Sequence, residues 1–567
     1  GTLSVQANNT ATGFKRLMNG SATIEPGGIR ADQSFLDTWA FQYKYDDQRR
    51  MIAKKVPGKD WEYMIYDALD RLVLTQDGNQ RQAGQWSYTK YDAMNRAVIT
   101  GIYTDARSIE SIRSDITAQT VFSEDRNTSE IDYTLHKTFP NNATLATVLT
   151  VTYYDDYNFV GKNYFDAGRN YNYSANDLVH AEDWYTNAKG MVTGGKIKVL
   201  DQNQWIHTVT YYDVKERVIQ VISSNHTNGL DVLSNQYDFA GKLLKSRLIH
   251  RNEQEIALTK TFAYDHAGRL LNTNHQVNNE PDVLLSANEY NELGQLVDKK
   301  LHSEDNGGTF EQSCDYRYNI RGWLTSINNA SLSNDGIVNN DSNDLFGMQL
   351  NYNTGSTIAF ETIPAQFNGN IASISWKVGH SQAKEQAYGF KYDAMNRLVK
   401  SHYAYKAGSV WAGDAGRHDE WLTYDQNGNI LTLHRGGRIG VANVWIDALS
   451  YQYNGNQLIN VRDNSPYWDS PASNGKYGFT ELNRATSADY AYDGNGNMTH
   501  DLNKGIGTSL TDNANVITYN LLNLPRRVQK SSTSYVEYIY DATGKKLRQV
   551  AVENGRTKTT DYMGEFI

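Results

Sequence analysis

The chain has 567 residues, a formal net charge of -9 and a mean hydropathy of -0.64. A pI near 5.8 argues against a nucleic-acid partner, which needs a concentrated basic face. Its 39 Tyr, 16 Phe and 11 Trp provide the large amphipathic rings that a disordered chain lacks, and the lone Cys314 excludes an internal disulfide framework or a multi-cysteine zinc site.

Pro is scarce, at 8 residues against 44 Gly, which suits strands punctuated by glycine turns. No run approaches the roughly 20 apolar residues of a membrane helix, and no leader-like segment opens the chain. It begins at Gly1 and stops in strand-like sequence at Asp561–Ile567, so it reads as a fragment.

Residues 1–40 read as a segment leading into a repeat region over 41–567. From there a Tyr-Asp or Tyr-Asn pair recurs, usually every 21 to 30 residues: Tyr45-Asp46, Tyr66-Asp67, Tyr91-Asp92, Tyr237-Asp238, Tyr264-Asp265, Tyr392-Asp393, Tyr424-Asp425, Tyr492-Asp493 and Tyr540-Asp541. Alternating aromatics precede many copies, as in Phe262-x-Tyr264 and Tyr538-x-Tyr540, and place rings on one face of a strand. A basic and then an aliphatic residue follow, as in Arg269-Leu270, Arg71-Leu72 and Lys242-Leu243, and start the next strand.

The pair opens a turn, because its Asp or Asn can accept a backbone N–H two residues on. Three residues later stands Asp70, Asn95, Asn158, Gly241, Gly268, Gly294, Gly322, Asn396, Gly428, Gly496, Asn523 or Gly544. These residue types tolerate positive φ, so this position is expected to close the hairpin; Glu216 is the one exception. Successive hairpins without helices predict an all-β fold, a long antiparallel strip that coils into a spiral or hollow shell.

Two stretches, near 101–150 and 331–390, interrupt the repeat and are read as insertions in surface loops. Catalysis has no support in the sequence: there is no HExxH, G-x-S-x-G or Walker-type pattern. His418-Asp419-Glu420 reads as an exposed loop cluster, and Cys314 as a packed thiol. Asp493, Asn495 and Asn497 have alternate spacing for a calcium loop, but Lys504 stands where a bidentate carboxylate is needed, and the Asn/Asp-rich stretch 339–344 lacks a ligand order. Tyr103, Trp411, Trp421, Trp445 and Trp468 are either cross-strand packing rings or a carbohydrate surface. No cofactor and no metal ligand set are expected.

The repeated motif resembles the RHS, or YD-repeat, family, over most of the chain from Tyr43 to Tyr562. That resemblance implies a β-strip spiralling into a hollow cocoon, as in bacterial polymorphic toxins, the cocoon components of Tc insecticidal toxins and the teneurins. The Ala-Met-Asn-Arg turns at Met94-Asn95-Arg96 and Met395-Asn396-Arg397 look most like large secreted members from Bacteroidota, candidates for type IX secretion. In the toxin branch the repeats lead into a core segment with aspartate-based self-cleavage beside an Asp-Pro motif; no Asp-Pro occurs here, so that core and its effector are expected to be missing. The resemblance therefore implies an extracellular or cell-surface shell, not an enzyme. Its partner would be its own C-terminal effector or the secretion and outer-membrane machinery. The alternatives are an adhesin binding a glycan or protein through exposed aromatics and insertions, and a hydrolase within an insertion, which would need converging His and carboxylate groups.

Overall fold

The computed structural model describes residues 23–25, 28–30, 33–159, 171–174, 178, 184–252, 254–336, 343–358, 361–380, 383–413, 417–467, 478–484 and 487–567. A small hairpin, Thr23–Glu25 with Gly28–Arg30, and a short helix, Gln33–Trp39, precede the first strand of the main sheet, Gln42–Tyr45. From that strand to Gln457–Asp463, 27 strands among the described residues pair almost entirely with their sequence neighbours in one antiparallel strip. Antiparallel hairpins need only short loops, which is why the order in sequence is the order in space. Among the described residues no pairing joins the first strand to the last, so the strip is open and not a closed barrel. A hairpin, Tyr490–Tyr492 with Met498–Asp501, and a five-stranded sheet from Ile517–Tyr519 to Arg556–Asp561 follow.

Most of the repeat turns follow one plan. In the copy after strand Glu62–Tyr66, Asp67 Oδ1 accepts the N–H of Leu69 at 2.9 Å and of Arg71 at 3.0 Å, while Arg71 Nε donates to Asp67 Oδ2 at 2.8 Å. The motif aspartate thus satisfies two turn amides and pairs with the basic residue that opens the next strand. The same contacts recur at Asp92–Arg96, Asp213–Arg217 and Asp393–Arg397. The residue three positions after the motif Asp or Asn has positive φ, from 60° at Asp70 to 95° at Gly241, at Asp70, Asn95, Gly241, Gly268, Gly294, Gly322, Asn396, Gly428, Gly496 and Gly544.

Two details differ from the sequence reading. Glu216 takes the left-handed conformation at φ 63°, as does Arg49 at 64°, because the turn's hydrogen bonds impose it whatever the side chain. At Tyr154-Asp155 the positive φ falls on Asp155, at 74°, and not on Asn158. There Asp155 pairs with Arg96 and accepts the N–H of Gly190, so the reversal is displaced.

Neighbouring repeats are tied through the motif tyrosines. In seven copies the hydroxyl donates to a carbonyl just past the preceding turn: Tyr66 to Met51, Tyr91 to Leu72, Tyr237 to Val218, Tyr264 to Leu243, Tyr392 to Ile371, Tyr424 to Leu398 and Tyr492 to Leu458, at 2.7–3.0 Å. In several copies the basic residue of one turn also lies over the tyrosine ring of the next, as Arg71 over Tyr91 at 4.5 Å and Arg397 over Tyr424 at 4.7 Å.

Among the described residues of 331–390 the strip continues and carries an insertion. Strands Phe346–Asn351 and Ser373–Val378 belong to the strip, and a small hairpin, Ser356–Ile358 with Glu361–Ile363, is inserted between Tyr352 and its turn, where Gly369 has φ 99°. The hairpin lies on the strip at Gly389, where a Cβ would meet Ile363 Cδ1 at 2.4 Å.

Candidate functional site

Strand Gln85–Tyr91 alternates, with Trp86, Tyr88 and Lys90 buried on one face. That face continues across the strip through the cross-strand partners Ile99, Val151 and Lys196. The stretch 105–147 covers it, which corrects the expectation of a surface loop. Helix Ile109–Thr117 is capped by Ser108 and buries Ile112 and Ile116, one turn apart on a single face. Tyr133, Leu135, Phe139, Tyr157 and Phe159 join the same core, with Phe159 stacked on Tyr153 at 4.4 Å. Gly101 is required by the close approach, since a Cβ there would lie 2.4 Å from Thr147 O.

The cover is held chiefly through its backbone. Fully buried Lys90 donates to Glu124 Oε1 at 2.9 Å and to the carbonyls of Thr138 at 2.8 Å and Pro140 at 3.1 Å, with Thr138 Oγ1 at 3.3 Å, so its ammonium protons are all satisfied. Arg71 donates to the Phe122 carbonyl, Lys196 to that of Glu130 and Lys198 to that of Ala146. Glu124 in turn accepts from Thr134 Oγ1, Thr138 Oγ1 and the Thr138 N–H. Burial would raise its carboxyl, but the Lys90 charge and these hydrogen bonds outweigh that and hold it below the usual carboxylate range. The cover is thus held both by its buried apolar side chains and Glu124 and by strand cations that meet its main-chain carbonyls. The sequence reading missed Lys90, Glu124 and Lys196; the available signal was a lysine in register with Trp86 and Tyr88 on an otherwise apolar strand face.

The second arrangement is a seam. The strip's turns fall on two edges, the Tyr-Asp turns on one and the intervening turns on the other. Late Tyr-Asp turns dock on early turns of the opposite edge. Asn79 N–H donates to Asn495 Oδ1 across 416 residues, Asn79 Nδ2 to Asp493 Oδ2, and Asn523 Nδ2 to Asp77 Oδ2. The turn at Asp541 bridges Val199, with Leu200 N–H donating to Tyr540 O and Ala542 N–H to Lys198 O, and Asp561 meets His226 at 2.8 Å. The chain therefore winds back on itself. Asp493, offered above as a cation ligand, has its carboxylate filled by the amides of Asn495, Asn497 and Asn79, and the described residues contain no group of three or more His, Cys, Asp or Glu suited to a metal.

The other candidates separate in space. Of His418-Asp419-Glu420, His418 is exposed as expected, but Asp419 is buried, accepting the Tyr403 N–H at 2.8 Å and facing His402, because the adjoining strand needs a partner for that amide. Burial raises the Cys314 thiol. Of the aromatic row, Trp421 and Trp445 meet at 4.8 Å beside His434, Tyr103 packs on Phe139, and Trp411 packs near Ile358 and Ala404. Trp468 and residues 339–342 lie outside the described residues.

The chain is similar to solved Tc toxin structures at low identity. It matches the Tc holotoxin pore of Photorhabdus luminescens, in a TccC3 mutant, at 14% identity and a TM-score of 0.42, covering 94% of this chain and 21% of that one. TcdB2-TccC3-TEV matches at 13% and 0.41, and TcdB2-TccC3 without its hypervariable C-terminal region at 14% and 0.40, each covering 92% of this chain and 21% of the other. The chain thus spans about a fifth of the length of those structures. No family model and no curated protein matches it.

Proposed function

We propose that this chain is the wall of a non-catalytic, extracellular or surface-displayed β-shell of the RHS type, which encloses or carries a polypeptide effector. One observation carries the reading: the strip winds back on itself along a hydrogen-bonded seam while one face holds a covering segment, in part by its carbonyls. A continuous wall of paired strands leaves proteases few accessible edges.

Intact-mass and C-terminal peptide mapping of the native product tests it. A second polypeptide that co-purifies and resists protease until the shell is unfolded is the expected result. A product that ends in an anchoring domain with no enclosed fragment overturns the carrier reading and leaves adhesion, for which the Trp421, His434 and Trp445 cluster would be the first surface to assay.

A further inference from the structure

A second covering segment, residues 478–484, lies where the long strip ends at strand Gln457–Asp463. Phe479 joins Leu449, Val461 and Tyr490 in a small core there. The segment is held by carboxyl groups: Asp447 Oδ1 accepts the Phe479 N–H at 2.5 Å, and Glu481 Oε2 accepts the Asp463 N–H at 3.2 Å. Asp489 joins this end of the strip to the hairpin Tyr490–Tyr492 with Met498–Asp501, accepting the Val461 N–H at 3.1 Å while its own N–H donates to the Ile459 carbonyl at 2.8 Å. Four carboxyl groups are therefore buried at one joint, since Asp447, Asp463, Glu481 and Asp489 are each at most 1% exposed.

Three of the four have cations. Arg435 meets Asp447 at 2.5 Å, Arg484 meets Glu481 at 3.1 Å, and Arg462 lies between Glu481 at 3.0 Å and Asp489 at 2.9 Å. Among the described residues no cation pairs with Asp463. Its Oδ1 accepts the N–H groups of Ala448 and Ser465, each at 2.9 Å, and its Oδ2 is buried without a donor. Asp447 lies diagonal to it across the strand pair, and Glu481 is bonded to its own N–H. Lys504 is engaged over the Phe479 ring at 4.6 Å, and Tyr451, on the same strand face, stays neutral because burial raises its hydroxyl. A carboxylate at Asp463 would be an unpaired buried charge beside two others, whereas a carboxylic acid carries no such penalty. Burial, with Asp447 close by, indeed pushes this carboxyl above the ordinary aspartate range, against its two amide hydrogen bonds and Arg484. We propose that Asp463 holds a proton in the closed joint and that this proton is a lock: while it is bound, segment 478–484 stays clamped, and its loss leaves a charge beside Asp447 and Glu481 that loosens the segment. A folded value above the unfolded one gives stability that is fully present below the ordinary aspartate range and lost as pH rises through the folded value. The joint is firmest in acid. This holds whether or not a cargo is enclosed.

Hydrogen exchange of the whole chain tests the proposal, read by peptide mass spectrometry at about pH 5 and about pH 7.5 and corrected for intrinsic exchange. Amides of 459–463 and 478–484 should exchange about tenfold faster at the higher pH after correction, the factor that corresponds to one pKa unit. Strand Gln85–Tyr91 should not change with them. Asp463→Asn keeps the shape and the accepting oxygen but cannot ionise, so both segments should stay protected at either pH. Infrared difference spectra of the parent against this variant, taken just above the ordinary carboxylate range, should show a carboxylic-acid band in the parent. That band reads the proton directly, and its loss on raising the pH of the parent alone can be followed even if the variant does not fold. Exchange in both segments that is independent of pH, a pH dependence that survives in Asp463→Asn, or a parent without the carboxylic-acid band each overturns the proposal.

Discussion

At the scale of single residues, the repeat is an exchange of specific hydrogen bonds. The aspartate closes its own turn, the tyrosine hydroxyl reaches the carbonyl of the previous repeat, and the arginine serves both its own aspartate and the next tyrosine ring. Gly, Asn and Asp advertise a left-handed position in sequence, since they adopt it at least cost; Arg49 and Glu216 do not, and only the closed turn reveals them. Titration enters at Glu361, whose carboxyl Lys391 and Lys400 hold down from the ordinary 4.5 to about 2. A folded value below the unfolded one stabilises above the ordinary glutamate range, and the contribution is lost as pH falls toward about 2. Glu361→Gln should therefore flatten the fall in melting temperature across that interval while changing it least on further acidification, as read by thermal melts at stepped pH.

At the scale of elements, the strands were legible because their signals are local: period-two aromatics, scarce proline and a turn signature at each reversal. The cover over 105–147 was not, because its content of Asn, Asp, Ser and Thr matches that of a solvated loop. Whether such a segment meets water or a sheet depends on partners far away in sequence, such as Lys90 for Glu124 and Lys196 for the Glu130 carbonyl. Removing Lys90 leaves Glu124 buried without its counter-charge, a loss of about 3–5 kcal/mol. Lys90→Met should lower the denaturation midpoint accordingly and open 119–147 to trypsin at Arg126 and Lys137; intact resistance there, seen by peptide mapping, would show that the pair does not pin the cover.

At the scale of the whole molecule, the seam decides the form. Asn79 and Asn495 meet only because some 416 residues of twisted strip return to the starting edge. Paired cysteines at Asn79→Cys and Asn495→Cys, in a Cys314→Ser background, should oxidise within one chain and stabilise the folded state, since the loop closed is very long. Failure to cross-link under oxidation, with the fold intact, would place the two turns apart in solution. The sequence by itself determined the antiparallel strip and its turn grammar, because hairpin register is set by neighbours a few residues apart. Tertiary structure alone decided which face is covered and which edges meet, because these depend on the twist accumulated over many strands, a quantity that no local window of residues contains.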